Sequence, residues 1–279
     1  MTENQLKHTY LVIDHLRVYC EYWIDQSKPA MFLIHGFASS TYTFHRLIPL
    51  LKEHFSIFAI DLPGFGRSDK STSFTYSFQN YAQLVAKCLK YFGLERVIIV
   101  GHSMGGQIAL YTAKLVPDQV DKLVLLNSSG YLKKVKKSLM YSSYMPFFPA
   151  FVQWYVGRKE VKDYLENVLY NKALITADMI EEFGRPLKER NFYKSLVRLA
   201  RHREGDLTTE QLRDIRKPTL LLWGEEDKVV PVAVGRRLVK ELPEAELITY
   251  KHTGHLLSIE KPLDVVTDIV RYTCRTNLV

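Results

Sequence analysis

Ser103 stands in the run Gly101-His102-Ser103-Met104-Gly105-Gly106, between the apolar stretch VIIV at 97–100 and the helical pattern QIALYTAKL. An apolar strand that ends on glycine, turns through a serine and enters a helix over two further glycines makes a sharp turn. Small neighbours let it close, and the hydroxyl is left exposed at its apex. The helix that follows directs its positive end there and favours negative charge. A serine hydroxyl is nonetheless a weak nucleophile until a base takes its proton. Attack on a carbonyl is the chemistry such a turn suits, and the sequence must then supply a base, an acid and donors for an oxyanion.

On an elbow of this kind the acid and then the base follow the serine in chain order. His255, in His252-Thr253-Gly254-His255, comes after the last apolar strand pattern and before a helix. Gly254 frees the backbone in front of it and Leu256-Leu257 anchor it behind, which favours it over its neighbour His252. The acid belongs to the loop Gly224-Glu225-Glu226-Asp227-Lys228-Val229-Val230-Pro231, where three carboxylates compete. Its task is to accept the imidazole N–H, hold one tautomer and stabilise the imidazolium. The oxyanion formed on attack needs two donors aimed at it. One is the backbone N–H of Met104; the other is expected from Phe37 in the loop His35-Gly36-Phe37-Ala38.

Holding these residues together takes a sheet whose strand ends lie in one row. Residues 10–14 and 16–24 read as a hairpin, and MFLI (31–34), FSIFAI (55–60), VIIV (97–100), KLVLLN (122–127), TLLLW (219–223) and ELITY (246–250) as further strands. Helical spacing appears at Phe44, Leu47, Ile48 and Leu51, over 78–92, over 104–115 and over 232–241. Short apolar strands alternating with helices imply a mostly parallel sheet covered on both faces. From Tyr131 to about Leu207 no buried strand pattern occurs. Val161, Tyr164, Leu165, Val168 and Leu169 mark one helix face there, and Phe192, Leu196, Leu199 and Ala200 another. The segment is expected to be a helical cap inserted after a sheet strand.

Composition narrows the classes. The 279 residues are 47% hydrophobic and 24% charged, which suits a packed core and excludes a disordered or fibrous chain. The opening MTENQLKHTY has neither the basic start nor the apolar stretch of a secretory leader, and no apolar run approaches the ~20 residues needed to span a bilayer. A cytoplasmic protein is expected, with Cys20, Cys88 and Cys274 as free thiols and neither a disulfide framework nor a zinc site. The formal charge of +8 raises nucleic-acid binding, but no helix-turn-helix, finger or aromatic RNA motif accompanies it. The densest basic run, Lys133, Lys134, Lys136 and Lys137, reads plainly as a solvated face. Its sharper reading is weak attraction to an anionic surface or acidic ligand.

The motifs HGF (35–37), DLPGFGRSD (61–69), GHSMGG (101–106), WGEEDKVVP (223–231) and TGH (253–255) together resemble the α/β-hydrolase family. That family includes lipase-like esterases, perhydrolases, C–C bond hydrolases and, with aspartate nucleophiles, epoxide hydrolases and dehalogenases. The motifs span the chain apart from the insertion. Within the insertion, YSSYMPFF (141–148) and REGDL (203–207) are also similar to a bacterial member that implies no defined substrate. The resemblance implies an α/β-hydrolase fold, with a mostly parallel eight-stranded sheet flanked by helices. Residues 1–130 and 208–279 would form the core and 131–207 the cap. It places the acid just before a hydrophobic pair and a proline, which selects Asp227 over Glu225 and Glu226. The implied catalytic set is Ser103, Asp227 and His255, with Phe37 and Met104 as the oxyanion hole and no cofactor or metal.

The cap follows LVLLN directly and must lie over the strand ends, outside which open α/β sheets bind ligands. Tyr141, Tyr144, Phe147, Phe148, Phe151, Trp154 and Tyr155 either form its own core or face the serine. A partly apolar substrate pocket is expected from His35, Tyr144, Phe147, Phe148 and Trp154, suited to a carboxylesterase acting on small or medium acyl esters. Ser103 stands where dehalogenases and most epoxide hydrolases carry Asp, which disfavours those activities. C–C hydrolases often carry Asn before the nucleophile, where this chain has His102. Lactonases and cofactor-free perhydrolases share the same triad. A hydrolase-like ligand receptor is the non-enzyme reading, and a complete triad argues against it.

Overall fold

The continuous apolar runs become strands whose alternate side chains serve two different cores. In the computed structural model, which describes residues 5–158 and 160–275, eight strands form one sheet. Residues 1–4, part of the stretch read for a leader, lie outside the described residues. The strands are β1 (Lys7–Ile13), β2 (Leu16–Trp23), β3 (Ala30–Ile34), β4 (Ser56–Ile60), β5 (Val97–His102), β6 (Val120–Leu126), β7 (Thr219–Gly224) and β8 (Ala245–Tyr250). Their order is β1-β2-β4-β3-β5-β6-β7-β8. β1 and β2 make a hairpin, β2 runs antiparallel to β4, and all later neighbours are parallel.

Phe32 and Ile34 join one buried cluster, Met31 and Leu33 the other. The same division separates Val97 and Ile99 from Ile98 and Val100, and Leu221 and Trp223 from Leu220 and Leu222. Side chains alternate along a strand, so a sheet buried on both faces needs apolar residues at successive positions. The helices Phe78–Tyr91, Met104–Leu115 and Val232–Glu241 contribute to the first cluster, and Ile48–Leu51 and Pro262–Thr273 to the second. Ser77 starts the helix Phe78–Tyr91 by accepting the Asn80 N–H at 3.1 Å, and Tyr81, Leu84, Val85, Cys88 and Leu89 form its buried face. The pattern at Phe44, Leu47, Ile48 and Leu51 is two short pieces, a 3₁₀ turn over Thr41–Phe44 and the helix Ile48–Leu51. Pro49 can open the second piece but has no N–H with which to continue a helix from the first.

β3 lies between β4 and β5, so the chain crosses the sheet after β4 and the loops leaving β3 and β5 diverge there. Between β6 and β7 it runs through the helices Lys137–Ser142, Phe148–Val156, Val161–Val168, Ala177–Gly184 and Arg190–His202, with no strand among the described residues. The two ends of this insertion are clipped together. The Asp206 N–H donates to the Leu132 carbonyl at 2.8 Å, and the Leu132 N–H donates to the Asp206 carboxylate at 3.1 Å. Burial pushes the Asp206 carboxyl up to about 6. Gln107 bridges the same junction, donating to Ser129 O at 2.7 Å and accepting from Leu207 N at 3.1 Å.

The helix after β5 meets β3 at Gly105, where an added Cβ would fall inside contact distance of the Ile34 and His35 carbonyl oxygens. Backbone cannot swing aside as a flexible side chain can. Gly105→Ala is expected to cost at least about 1–3 kcal/mol of stability, seen as a lower urea midpoint. An unchanged midpoint would mean that this helix and β3 separate at no cost.

Candidate active site

Ser103 holds a conformation rare for any residue but glycine, with φ at +53° and ψ at −119°. Three backbone hydrogen bonds support it. Its N–H donates to Leu126 O at 3.0 Å, and its carbonyl accepts from Gly106 N at 2.9 Å and Ser129 N at 3.0 Å. Met104 opens the following helix, so its N–H has no intrahelical acceptor. The loop after β3 presses against the serine at Gly36, where an added Cβ would stand 2.9 Å from the Ser103 Cβ. Phe37 follows and packs edge-on against Phe65 at 5.7 Å. Phe37, Ser103 and Met104 line one cavity.

The loop after β7 brings Asp227 to His255, with His255 Nδ1 2.7 Å from Asp227 Oδ2. The same oxygen accepts from Asn127 Nδ2 at 2.6 Å, while Oδ1 accepts from the N–H groups of Val229 at 2.7 Å and Val230 at 2.9 Å. Burial acts to raise this carboxyl, but His255, Val230 and Asn127 together outweigh it and hold Asp227 below the ordinary carboxylate value. Ionised Asp227 is therefore met by four donors. Glu226 instead accepts the Thr253 N–H at 2.9 Å, and Glu225 accepts from the Thr249 hydroxyl at 2.8 Å. His252, the rival base, is largely exposed and lies 3.1 Å from the Tyr170 hydroxyl.

The loop carrying His255 is anchored on several sides. The His255 N–H donates to Val168 O in the insertion at 2.7 Å, and Glu260 accepts the Gly254 N–H at 2.7 Å. His102 ties the elbow to this loop, donating from Nε2 to the His255 carbonyl at 2.9 Å. Burial pushes the His102 imidazole down to about 3, so it is neutral and Nε2 carries the single proton. Sequence reading passed over Asn127, His102 and Glu260 as partners. Asn127 did carry a signal, since asparagine tolerates the left-handed φ of +45° that the chain adopts as it leaves β6.

The cavity at Ser103 has a volume of about 440 Å³. The insertion contributes Leu132, Val135, Leu196, Leu199, Ala200 and Arg203, and the stretch after β7 contributes Val229, Val230, Pro231 and Val234. The expected pocket residues are elsewhere. His35 is fully buried behind the loop, its Nδ1–H donating to Gly36 O at 2.7 Å and its Nε2 accepting from Leu62 N at 2.9 Å. Tyr144 and Trp154 face outward, Phe147 is 81% exposed, and half-buried Phe148 lies against Phe151 rather than at the cavity. The cause is helical phase. The helix Phe148–Val156 turns Val152 and Val156 toward the core, which sends Phe147, Phe151 and Trp154 to its opposite face. The wall instead comes from Leu196, Leu199 and Ala200, a helix face visible in the sequence but given no role there.

A serine on a strained strand-to-helix turn and a buried Asp–His pair, at the strand ends of a mostly parallel sheet, define a hydrolase class of α/β protein. The family model described as alpha/beta hydrolase fold matches residues 29–262, and the chain belongs to that family. It is 41% identical over 250 residues to YugF of Bacillus subtilis, described as an uncharacterized hydrolase, covering 90% of this chain and 92% of that protein. It is 28% identical over 240 residues to a 2-hydroxy-6-oxononadienedioate/2-hydroxy-6-oxononatrienedioate hydrolase of Burkholderia vietnamiensis, covering 81% of this chain and 80% of that one. Among solved structures, a bacterial membrane phospholipase A matches with a TM-score of 0.81 at 25% identity, covering 97% of this chain and 86% of that chain.

A carboxyl held below its ordinary value of 3.8 stabilises the fold above that pH, and the contribution is lost as pH falls through the lower folded value. Asp227→Asn is therefore expected to cost about 1–3 kcal/mol near neutrality, because its donors lose a charged acceptor. The gap between wild type and variant should close below pH 3.8. Urea melts at both pH values measure it, and a gap of equal size at both would contradict the charged arrangement.

Proposed function

We propose that this protein is a serine hydrolase, a carboxylesterase for small or medium acyl esters that works through Ser103, His255 and Asp227. The observation that carries the reading is the buried Asp227–His255 pair, 2.7 Å apart, at the same row of strand ends as Ser103, which borders a largely apolar cavity. Ser103 Oγ attacks the ester carbonyl while His255 Nε2 takes its proton. The tetrahedral oxyanion is met by the N–H groups of Met104 and Phe37. Collapse expels the alcohol, which receives the proton from His255 and leaves an acyl group on Ser103. Water then attacks with His255 as base, and the acid departs as Ser103 recovers its proton. Asp227 holds His255 in one tautomer and offsets the imidazolium charge in both steps.

C–C bond hydrolysis is the second reading, and two observations favour it. A relative is named as a 2-hydroxy-6-oxononadienedioate/2-hydroxy-6-oxononatrienedioate hydrolase, and Arg203, whose guanidinium lies 3.4 Å from Lys133 O, borders the cavity as a cation within reach of an acidic substrate. His102 before the serine, where such enzymes often carry Asn, weighs against it.

Ser103→Ala should remove hydrolysis of p-nitrophenyl esters by on the order of 10³-fold or more and abolish labelling by a fluorophosphonate. Labelling that survives in the variant would assign the nucleophile to another serine. A panel of p-nitrophenyl esters of increasing acyl length, run beside a dienone dicarboxylate, separates the two readings. Each added CH₂ should gain up to about 0.8 kcal/mol in kcat/KM until the cavity is full, after which the rate falls. Turnover of the dienone alone would replace the esterase reading.

A further inference from the structure

The mechanism leaves one large feature of the molecule unused, the outward surface of the insertion. Nine of the nineteen large apolar side chains exposed among the described residues fall between Leu132 and Tyr155. The helices Lys137–Ser142 and Phe148–Val156 contain no fully buried residue. On the second helix Val152 and Val156 pack inward, while Phe147, Phe151, Trp154 and Tyr155 recur at intervals of three and four along another face. Phe151 holds that stripe together, 6.0 Å from Trp154 and 6.4 Å from Tyr155 between ring centres. Arg158 ends it, with its guanidinium 3.8 Å from the centre of the Trp154 ring. Monomeric proteins seldom leave so much apolar surface contiguous without a use for it.

Charge says what covers it. From Tyr131 to Lys159 the sequence has six Lys and Arg and no Asp or Glu. Lys133, Lys134, Lys136 and Lys137 are all exposed. They bracket Val135 and follow Leu132, which line the cavity beside Ser103, so the basic rim adjoins the cavity. A second copy of the chain would set this cationic surface against another molecule of net charge +8. An anionic bilayer offers the complement to both halves of the pattern. Lipid phosphates meet the lysines, and aromatic rings with a polar edge settle at headgroup depth. No helix of the described residues is long and apolar enough to cross a membrane, so the contact lies on the surface.

We propose that the face formed by Phe147, Phe151, Trp154 and Tyr155, with the flanking Lys133–Lys137 segment, docks on an anionic lipid bilayer and brings the cavity beside Ser103 to its surface. Docking is independent of whether the bound substrate is an ester.

The purified chain should float with vesicles of phosphatidylcholine containing phosphatidylglycerol and much less with phosphatidylcholine alone, and added salt should release it. Replacing the four lysines with Glu should weaken partitioning on the order of 10²-fold or more. Phe147→Ser with Phe151→Ser should also release the protein while the circular dichroism spectrum stays that of the folded chain, since both side chains are more than half exposed. Trp154 is exposed whereas Trp223 is buried and Trp23 half-buried, so brominated lipid should quench emission in the wild type and much less in Trp154→Phe. Failure of the folded wild type to bind anionic vesicles would overturn the proposal. So would binding unaffected by the lysine and phenylalanine changes. A concentration-dependent dimer that Phe147→Ser with Phe151→Ser abolishes would instead assign the face to a second copy and overturn it.

Discussion

Four donors converge on the Asp227 carboxylate, and they come from three separate parts of the chain. Val229 and Val230 belong to its own loop, Asn127 leaves the end of β6, and His255 follows β8. Hydrogen bonds to a charged group contribute about 1.5–3 kcal/mol each, and a buried donor deprived of its acceptor costs a comparable amount. The Asp227 loop cannot shift without stranding the donors of Asn127 and His255. The backbone ladders space β6, β7 and β8, and one buried charge then ties together the loops that leave their ends.

Crowding does on the other side of the serine what charge does here. Gly36 and Gly105 let β3, its loop and the helix after β5 approach to backbone contact, and the serine between them is held at a positive φ. Such a conformation costs on the order of 1–3 kcal/mol and persists only where its surroundings over-determine it. His102 joins the two halves. As the residue before Ser103 it shares the strained turn, and its Nε2–H reaches the carbonyl of His255. Because burial keeps it neutral, that donation does not depend on pH near neutrality.

The insertion is coupled to the strand ends at more than one point. Its base is clipped by Asp206 and Leu132, the Val168 carbonyl takes the N–H of His255, and Glu260 receives the N–H groups of Tyr170, Asn171 and Gly254. Its last helix supplies the cavity wall through Leu196, Leu199 and Ala200. The segment therefore helps to hold the histidine loop as well as to shape the space beside the serine. The outward face of the helix Phe148–Val156 takes part in neither.

Much of this was legible in the chain itself. The sheet was readable because VIIV, LVLL and LLLW are apolar at every position, a pattern that a strand buried on both faces requires. Glycines around Ser103 marked the elbow because a strained turn under close packing tolerates little else, and Gly254 and Pro231 bounded the loops of His255 and Asp227. Those are local constraints, and local constraints leave local traces. The donors that gather on Asp227 left almost none, for Asn127 and His255 lie 100 and 28 residues from it. Nor could the sequence say which aromatic residues of the insertion look inward. A helix with apolar residues on two faces satisfies its own periodicity in either orientation. The choice fell to the helix Arg190–His202 and the core, which took Val152 and Val156 and left Phe147, Phe151 and Trp154 outside.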